Sequence, residues 1–236
     1  MSDIARSAAA PSPSAAMREA IVRKAHESAD TSVRFFEENA EALEGCARAL
    51  AGRLESGGRL WVMGNGGSAC DAQHIAVEFM HPITVGRRAL PAICLSNDMA
   101  MMTAVANDVG FQDVFVRQLL ALAKAGDVLL GVSTSGNSEN LLHAFSLGQR
   151  MGLVTIGFSG NDGGRMEEMR ADGLLDFCLS VPTASIHRIQ ETHVTLYHII
   201  WDLVHTLLEH PALLAEPVEF SESAQQPAAT ALEKGN

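Results

Sequence analysis

Four hydroxyl side chains and a glycine crowd into Ser133, Thr134, Ser135, Gly136, Asn137 and Ser138, between the apolar run Asp127–Val132 and a helix-like segment from Glu139. A turn from a buried strand into a helix offers free backbone N–H groups, hydroxyl donors and the positive end of a helix dipole. Ser133, Thr134, Ser135 and Ser138 therefore suit a phosphate dianion, held without a lysine. A second polar turn, Gly64, Asn65, Gly66, Gly67 and Ser68, follows the strand-like Leu60–Met63. Two such turns at two strand ends fit a sugar phosphate, one gripping the phosphate and the other facing the sugar.

A second set of residues carries nitrogen and oxygen donors. His74 and Glu78 stand four apart, so on a helix they share a face. Gln190 and His198 lie eight apart near the end of the chain, slightly more than two helical turns, and point to roughly the same side. Two helices presenting His, Glu, Gln and His to one point suit zinc or a similar divalent ion. Spacing alone leaves alternatives open: His198, Asp202 and His205 also share a helix face, and His193 and Glu191 are close by.

The elements that must position these groups follow from periodicity. Residues 17–56 read as helix, with stripes through Ile21, Val22, Ala25 and Ala29 and through Val33, Phe36, Ala40, Leu43, Ala47 and Leu50; Asp30, Thr31 and Ser32 are a potential break into two helices. Strands are predicted at Leu60–Met63, Pro91–Leu95, Asp127–Val132, Leu153–Phe158 and Leu174–Ser180. Helices are predicted at Ala69–Met80, about 98–106, 112–124, Glu139–Met151, about 164–170 and 186–209. Short strands that are apolar throughout are buried on both faces, which means a parallel sheet wrapped by helices. Ligands of such sheets gather beyond the carboxyl ends of the strands, where both polar turns fall.

The 236 residues, 47% hydrophobic, suffice for one α/β domain. Residues 1–16 and 211–236 are rich in Ala, Pro, Ser and Glu and are expected to be mobile tails, leaving 17–210 as the domain. A formal net charge of −11 argues against broad binding to nucleic acid or an anionic membrane. No run reaches the roughly 18 apolar residues of a bilayer span. Cys46, Cys70, Cys94 and Cys178 are widely spaced, without a C-x-x-C, and are expected to be reduced in a cytoplasmic protein.

Four segments in order carry a family resemblance: Gly64–His74, Ala104–Asp108, Gly126–Ser138 and Arg188–His193. Together they resemble the sugar-isomerase (SIS) domain, and more closely the phosphoheptose isomerases, from about residue 20 to 209. The resemblance implies a doubly wound α/β fold, a five-stranded parallel sheet flanked by helices with N-terminal helices added. It implies a homotetramer with active sites shared between subunits, and aldose–ketose isomerisation of sedoheptulose 7-phosphate through a cis-enediol. It further implies a Zn2+ site at His74, Glu78, Gln190 and His198, with Glu78 as base and His198 as acid. Phosphate would lie on Ser133, Thr134, Ser135 and Ser138, while Asn65, Gly66, Gly67, Asn107, Asp108, Glu78 and Gln190 would meet the sugar.

Members of the family often carry an arginine one turn beyond the glutamate. Pro82 stands there in this chain and should end the helix, so Arg87 or Arg88 is the expected replacement from a loop. The alternatives that go with the resemblance are an SIS-domain assembly factor binding the replication initiator DnaA, and an isomerase of another ketose phosphate.

Overall fold

The computed structural model describes residues 13–215. Five strands, β1 (Leu60–Gly64), β2 (Ala92–Cys94), β3 (Val128–Val132), β4 (Val154–Gly160) and β5 (Phe177–Val181), form one sheet in the order β2-β1-β3-β4-β5. All pairings are parallel, with Leu60 opposite Val128 and Gly64 opposite Val132. Strand order reverses between β1 and β3, and at that switch point the crevice beyond the strand ends opens.

Helices cover both faces. Leu60, Val62, Val128 and Leu130 point into one core with α1 (Pro13–Glu55), α2 (Gly67–Met80) and α7 (Ile186–Glu209). Trp61, Met63 and Leu129 point into the other, with α4 (Val116–Leu122), α5 (Glu139–Met151) and α6 (Gly164–Ala171). Successive strand residues feed opposite cores, which is why the strands read as unbroken apolar runs. The short α3 (Met99–Asp108) and a 3-10 turn at Phe111–Asp113 link β2 to α4, and α8 (Pro211–Ala215) follows α7.

Several boundaries differ from the sequence reading; the expected helix 112–124, for one, is a 3-10 turn at Phe111–Asp113 followed by α4. The N-terminal segment is a single 43-residue helix, not two. At the expected break the Thr31 hydroxyl donates to the Glu27 carbonyl at 2.8 Å, so the residue that would compete with the helix is bonded back into it. Helix α1 also starts at Pro13, inside the expected tail, and Pro211–Ala215 are helical; the rest of both tails lies outside the described residues. Strand β5 starts at Phe177 rather than Leu174, because the Leu174 and Leu175 N–H groups donate to the Met169 carbonyl in the turn that closes α6. Helices α5 and α7 keep their predicted limits.

Among the described residues no helix is long and apolar enough to cross a membrane. All four cysteines are free; Cys46 and Cys94 are buried, and burial pushes the Cys46 thiol up to about 12.

Candidate functional site

The turn after β3 is built by its backbone. Gly136 takes a φ of +65°, and a Cβ there would fall 1.8 Å from the Gly163 carbonyl oxygen, so only glycine fits. Asn137 ties the turn down: its Nδ2 donates to the Ser135 carbonyl at 2.8 Å, and its Oδ1 accepts from the Arg165 N–H at 3.1 Å. The Ser133 and Ser138 hydroxyls meet at 3.0 Å across the turn, while the Ser135 hydroxyl accepts from the Asn137 N–H at 3.2 Å. Ser138 caps α5 without using its side chain as a cap, so its hydroxyl stays with Ser133 beside the first N–H groups of the helix.

The second turn stands beside it, because β1 and β3 are neighbours in register. The two are joined by a residue the sequence reading missed. Asn140, on the first turn of α5, exchanges two amide hydrogen bonds with Asn65, each 2.9 Å. Asn140 is 2% exposed, so this closed pair locks one polar turn against the other. The signal was weak: an asparagine just past a helix start reads as ordinary capping chemistry. Gly67, the first residue of α2, is placed by close approach, since a Cβ there would stand 2.4 Å from Gln190 Nε2. Gln190 thus faces the second turn.

Helices α2 and α7 run alongside each other: Gly67 meets Gln190, Tyr197 meets His74, and Trp201 Nε1 donates to the Glu78 carbonyl at 2.9 Å. This alignment brings His74, Glu78 and His198 together, each offering one ligand atom within 4.8 Å of the others. His74 Nε2 lies 3.1 Å from Glu78 Oε1, and the Tyr197 hydroxyl lies 2.7 Å from His74 Nδ1. The His74 and His198 rings meet edge to face at 5.1 Å. Two imidazoles and a carboxylate converging from two rigid helices fit a divalent cation of the zinc class. Burial, with Asp71 and Glu78 nearby, raises the Tyr197 hydroxyl above the ordinary phenol range. Asp71, one turn before His74, has Oδ2 buried without a hydrogen-bond partner; burial raises its carboxyl and His74 partly offsets this.

The competing histidines are resolved. His193 is fully buried with Nε2 2.9 Å from the Ser159 carbonyl, and burial pulls its ring down to about 4. His205 is buried against Phe79 and Trp201, and burial, then Arg87, lowers it. Asp202 pairs with Arg87 at 2.8 Å, and Glu191 is exposed with Ser28 and Arg188 as partners. Among the described residues only His74, Glu78 and His198 form such a donor cluster.

Other expected site residues lie at the surface or are held by neighbouring side chains. Asn107 and Asp108 are exposed at the end of α3, where Asn107 Nδ2 donates to Asp108 Oδ1 at 2.8 Å. Helix α2 ends at Met80, before Pro82, but neither following arginine turns to the site. Arg87 stacks over Trp201 at 4.7 Å and pairs with Asp202 and Glu209, and Arg88 pairs with Glu55. The expected replacement arginine is therefore absent from this chain's own crevice: each guanidinium is held by nearer carboxylates.

Comparison with known proteins shows the family and the fold. Residues 25–160 match the family model described as SIS domain. The chain is 41% identical over 193 residues to the phosphoheptose isomerase of Thermodesulfovibrio yellowstonii, covering 81% of this chain and 94% of the relative. It is 43% identical over 196 residues to that of Desulfovibrio desulfuricans, covering 83% and 91%. The solved structure of phosphoheptose isomerase from Neisseria gonorrhoeae superposes with a TM-score of 0.73 at 35% identity, over 80% of this chain and 99% of that one. The fold and these relatives make the chain an SIS-domain phosphosugar isomerase. Within that class, the chain belongs to the phosphoheptose isomerase family.

Proposed function

We propose that this protein interconverts sedoheptulose 7-phosphate and D-glycero-D-manno-heptose 7-phosphate through a cis-enediol, as a zinc-dependent cytoplasmic homotetramer. The observation that carries the reading is the meeting of His74, Glu78 and His198 in a chain whose neighbouring strand end forms a hydroxyl-rich anion turn. The shared name of the relatives supports the heptose.

Phosphate binds to the Ser133, Thr134 and Ser138 hydroxyls and the first N–H groups of α5, with Ser135 at the turn's rim. Asn65, Gly66 and Gly67 leave backbone room for the sugar, and Gln190 orients its hydroxyls. Asn107 and Asp108, exposed at the end of α3, are free to turn to the sugar side as the substrate enters. His74, Glu78 and His198 would hold the cation, with Gln190 supplying a further oxygen ligand. When bound, that cation would polarise the carbonyl and the adjacent hydroxyl oxygen. Glu78 takes the proton from C1 of the open-chain ketose, its Oε1 already turned to His74. His198 gives a proton to the C2 oxygen, producing the enediol. Return of the O1 proton to His198 and of the carbon proton from Glu78 to C2 give the aldose and restore both groups.

An enediol needs protection from water, yet the His74 side chain is 42% exposed in the single chain. Cover from a neighbouring subunit meets that need. Met17, Ile21, Val22 and Val33 of α1 are more than half exposed and suit burial against a second copy.

Metal-depleted protein given sedoheptulose 7-phosphate, followed by proton NMR with and without added zinc, tests the reading. Aldose signals that depend on zinc are expected. No turnover with metal present overturns it; turnover of a different ketose phosphate moves the substrate, and DnaA binding without turnover favours the assembly-factor alternative. Sedimentation as a stable monomer at micromolar concentration would remove the shared site.

A further inference from the structure

Both nitrogens of His74 are engaged, by groups of different chemistry. Nε2 faces Glu78 Oε1 at 3.1 Å, and Nδ1 faces the Tyr197 hydroxyl at 2.7 Å. An ionised carboxylate only accepts, so with no cation present the ring proton sits on Nε2 and the phenol donates to Nδ1. A cation binds a ring nitrogen through its lone pair, and Nε2 is the nitrogen turned toward Glu78. Freeing that lone pair moves the ring proton to Nδ1, and the group facing Nδ1 must then accept. A phenol can do both, because its hydroxyl carries one proton and two lone pairs. A backbone carbonyl or a carboxylate in its place would favour only the loaded tautomer. Packing holds Tyr197 in position, since it is 3% exposed and lies edge to face on His74 at 5.2 Å and on His198 at 4.6 Å.

We propose that Tyr197 is a positioning residue that sets the tautomer of His74, donating to Nδ1 in the empty site and accepting from Nδ1–H when a divalent cation takes Nε2. The proposal rests on the cation reading above. Its chemistry is a proton relocation on one ring with reversal of one hydrogen bond. The ring proton leaves Nε2 through solvent, an equivalent proton arrives at Nδ1, and the phenol proton rotates away without being lost.

Nitrogen-15 NMR of histidine-labelled protein tests it, alongside zinc affinity measured by competition with a chromophoric chelator. Tyr197→Phe keeps the ring packing and removes only the oxygen. In wild type, His74 is expected as a single Nε2–H tautomer without metal, and as Nδ1–H with a slowly exchanging proton once zinc is bound. In Tyr197→Phe the zinc affinity should fall about tenfold to a hundredfold, and the Nδ1 resonance of metal-free protein should move. Activity at saturating zinc should fall less than the zinc affinity. Zinc bound through Nδ1, or a variant with unchanged affinity and unchanged His74 resonances, overturns the proposal. If wild type binds no zinc, cobalt or manganese, the cation reading fails, and the metal-free spectra alone decide whether Tyr197 orients the ring. An Nδ1 resonance that moves in Tyr197→Phe supports that role, and one that does not move ends it.

Discussion

His74 on α2 and three histidines of helix α7, His193, His198 and His205, divide into two pairs. His74 and His198 stand in the crevice, partly exposed, edge to face, with Glu78 beside them. His193 and His205 lie on the same helix as His198 but are 0% and 1% exposed. In the buried pair the surroundings fix one state: His193 donates to a backbone carbonyl and stays neutral, while aromatic rings flank His205. In the crevice pair the nearest groups are a carboxylate and a phenol, which respond to a change of proton or ligand. Residue type and helical spacing do not separate these roles. Burial and the chemistry of the neighbour do.

The strongest way to break the comparison is at Glu78. Glu78→Gln keeps an oxygen donor but cannot take a proton from carbon, so isomerase turnover should fall by about 10²–10⁴-fold with partial retention of metal. Near-normal turnover with sedoheptulose 7-phosphate would remove Glu78 as the base. His74→Ala should lose metal and activity together, read by metal analysis beside the rate.

The anion turn sharpens the same contrast from the other wall of the crevice. Replacing Thr134 and Ser138 by alanine removes hydroxyls that donate to a dianion, each worth about 1.5–3 kcal/mol. Apparent substrate affinity should weaken by about a hundredfold or more, with the melting temperature little changed. Unchanged affinity would move the phosphate elsewhere.

The buried pair makes its mark on stability. The folded His193 ring sits at about 4, against 6.5 for the free ring. The unfolded chain therefore binds the extra proton first, and the contribution is present above pH 6.5 and lost as pH falls toward 4. At full burial it amounts to about 3 kcal/mol across that window. His193→Gln, whose amide N–H can still reach the Ser159 carbonyl, should flatten the acid limb in denaturant titrations at pH 4.5 and pH 7. An equally steep limb in the variant would refute this.

The smallest effect is expected at Arg87. Its guanidinium lies on Trp201 and between two carboxylates that are largely exposed, an arrangement worth about 1 kcal/mol. Arg87→Ala should lower stability by about that amount and leave turnover within a few-fold. A loss of turnover comparable to that of Glu78→Gln would return Arg87 to the pocket.

Much of this was legible in the sequence because it is local. Two apolar runs each ending in a polar turn give two strand ends at one sheet edge, and the periodicity of Glu139–Met151 and Ile186–Glu209 sets α5 and α7 at their observed limits. Motif order carried the family, and the spacing of His74 and Glu78 put both on one face of α2. The unbroken α1 was not legible, because Asp30, Thr31 and Ser32 suit a cap as well as an interior, and the bond from Thr31 to Glu27 decides between them.

Tertiary structure alone chose among the histidines. Along α7 the sequence offers His187, His193, His198 and His205, and only the alignment of α7 beside α2 puts His198 against His74 while the core takes His193 and His205 and His187 stays exposed. It also supplied Asn140, paired with Asn65 from 75 residues away, and Tyr197, paired with His74 from 123 residues away. It turned Arg87 and Arg88 toward Asp202, Glu209 and Glu55. The physical reason is the same in each case. Local sequence fixes backbone periodicity and the donors available, but the partner of a polar side chain is set by which distant element packs against it, and that is a property of the folded chain.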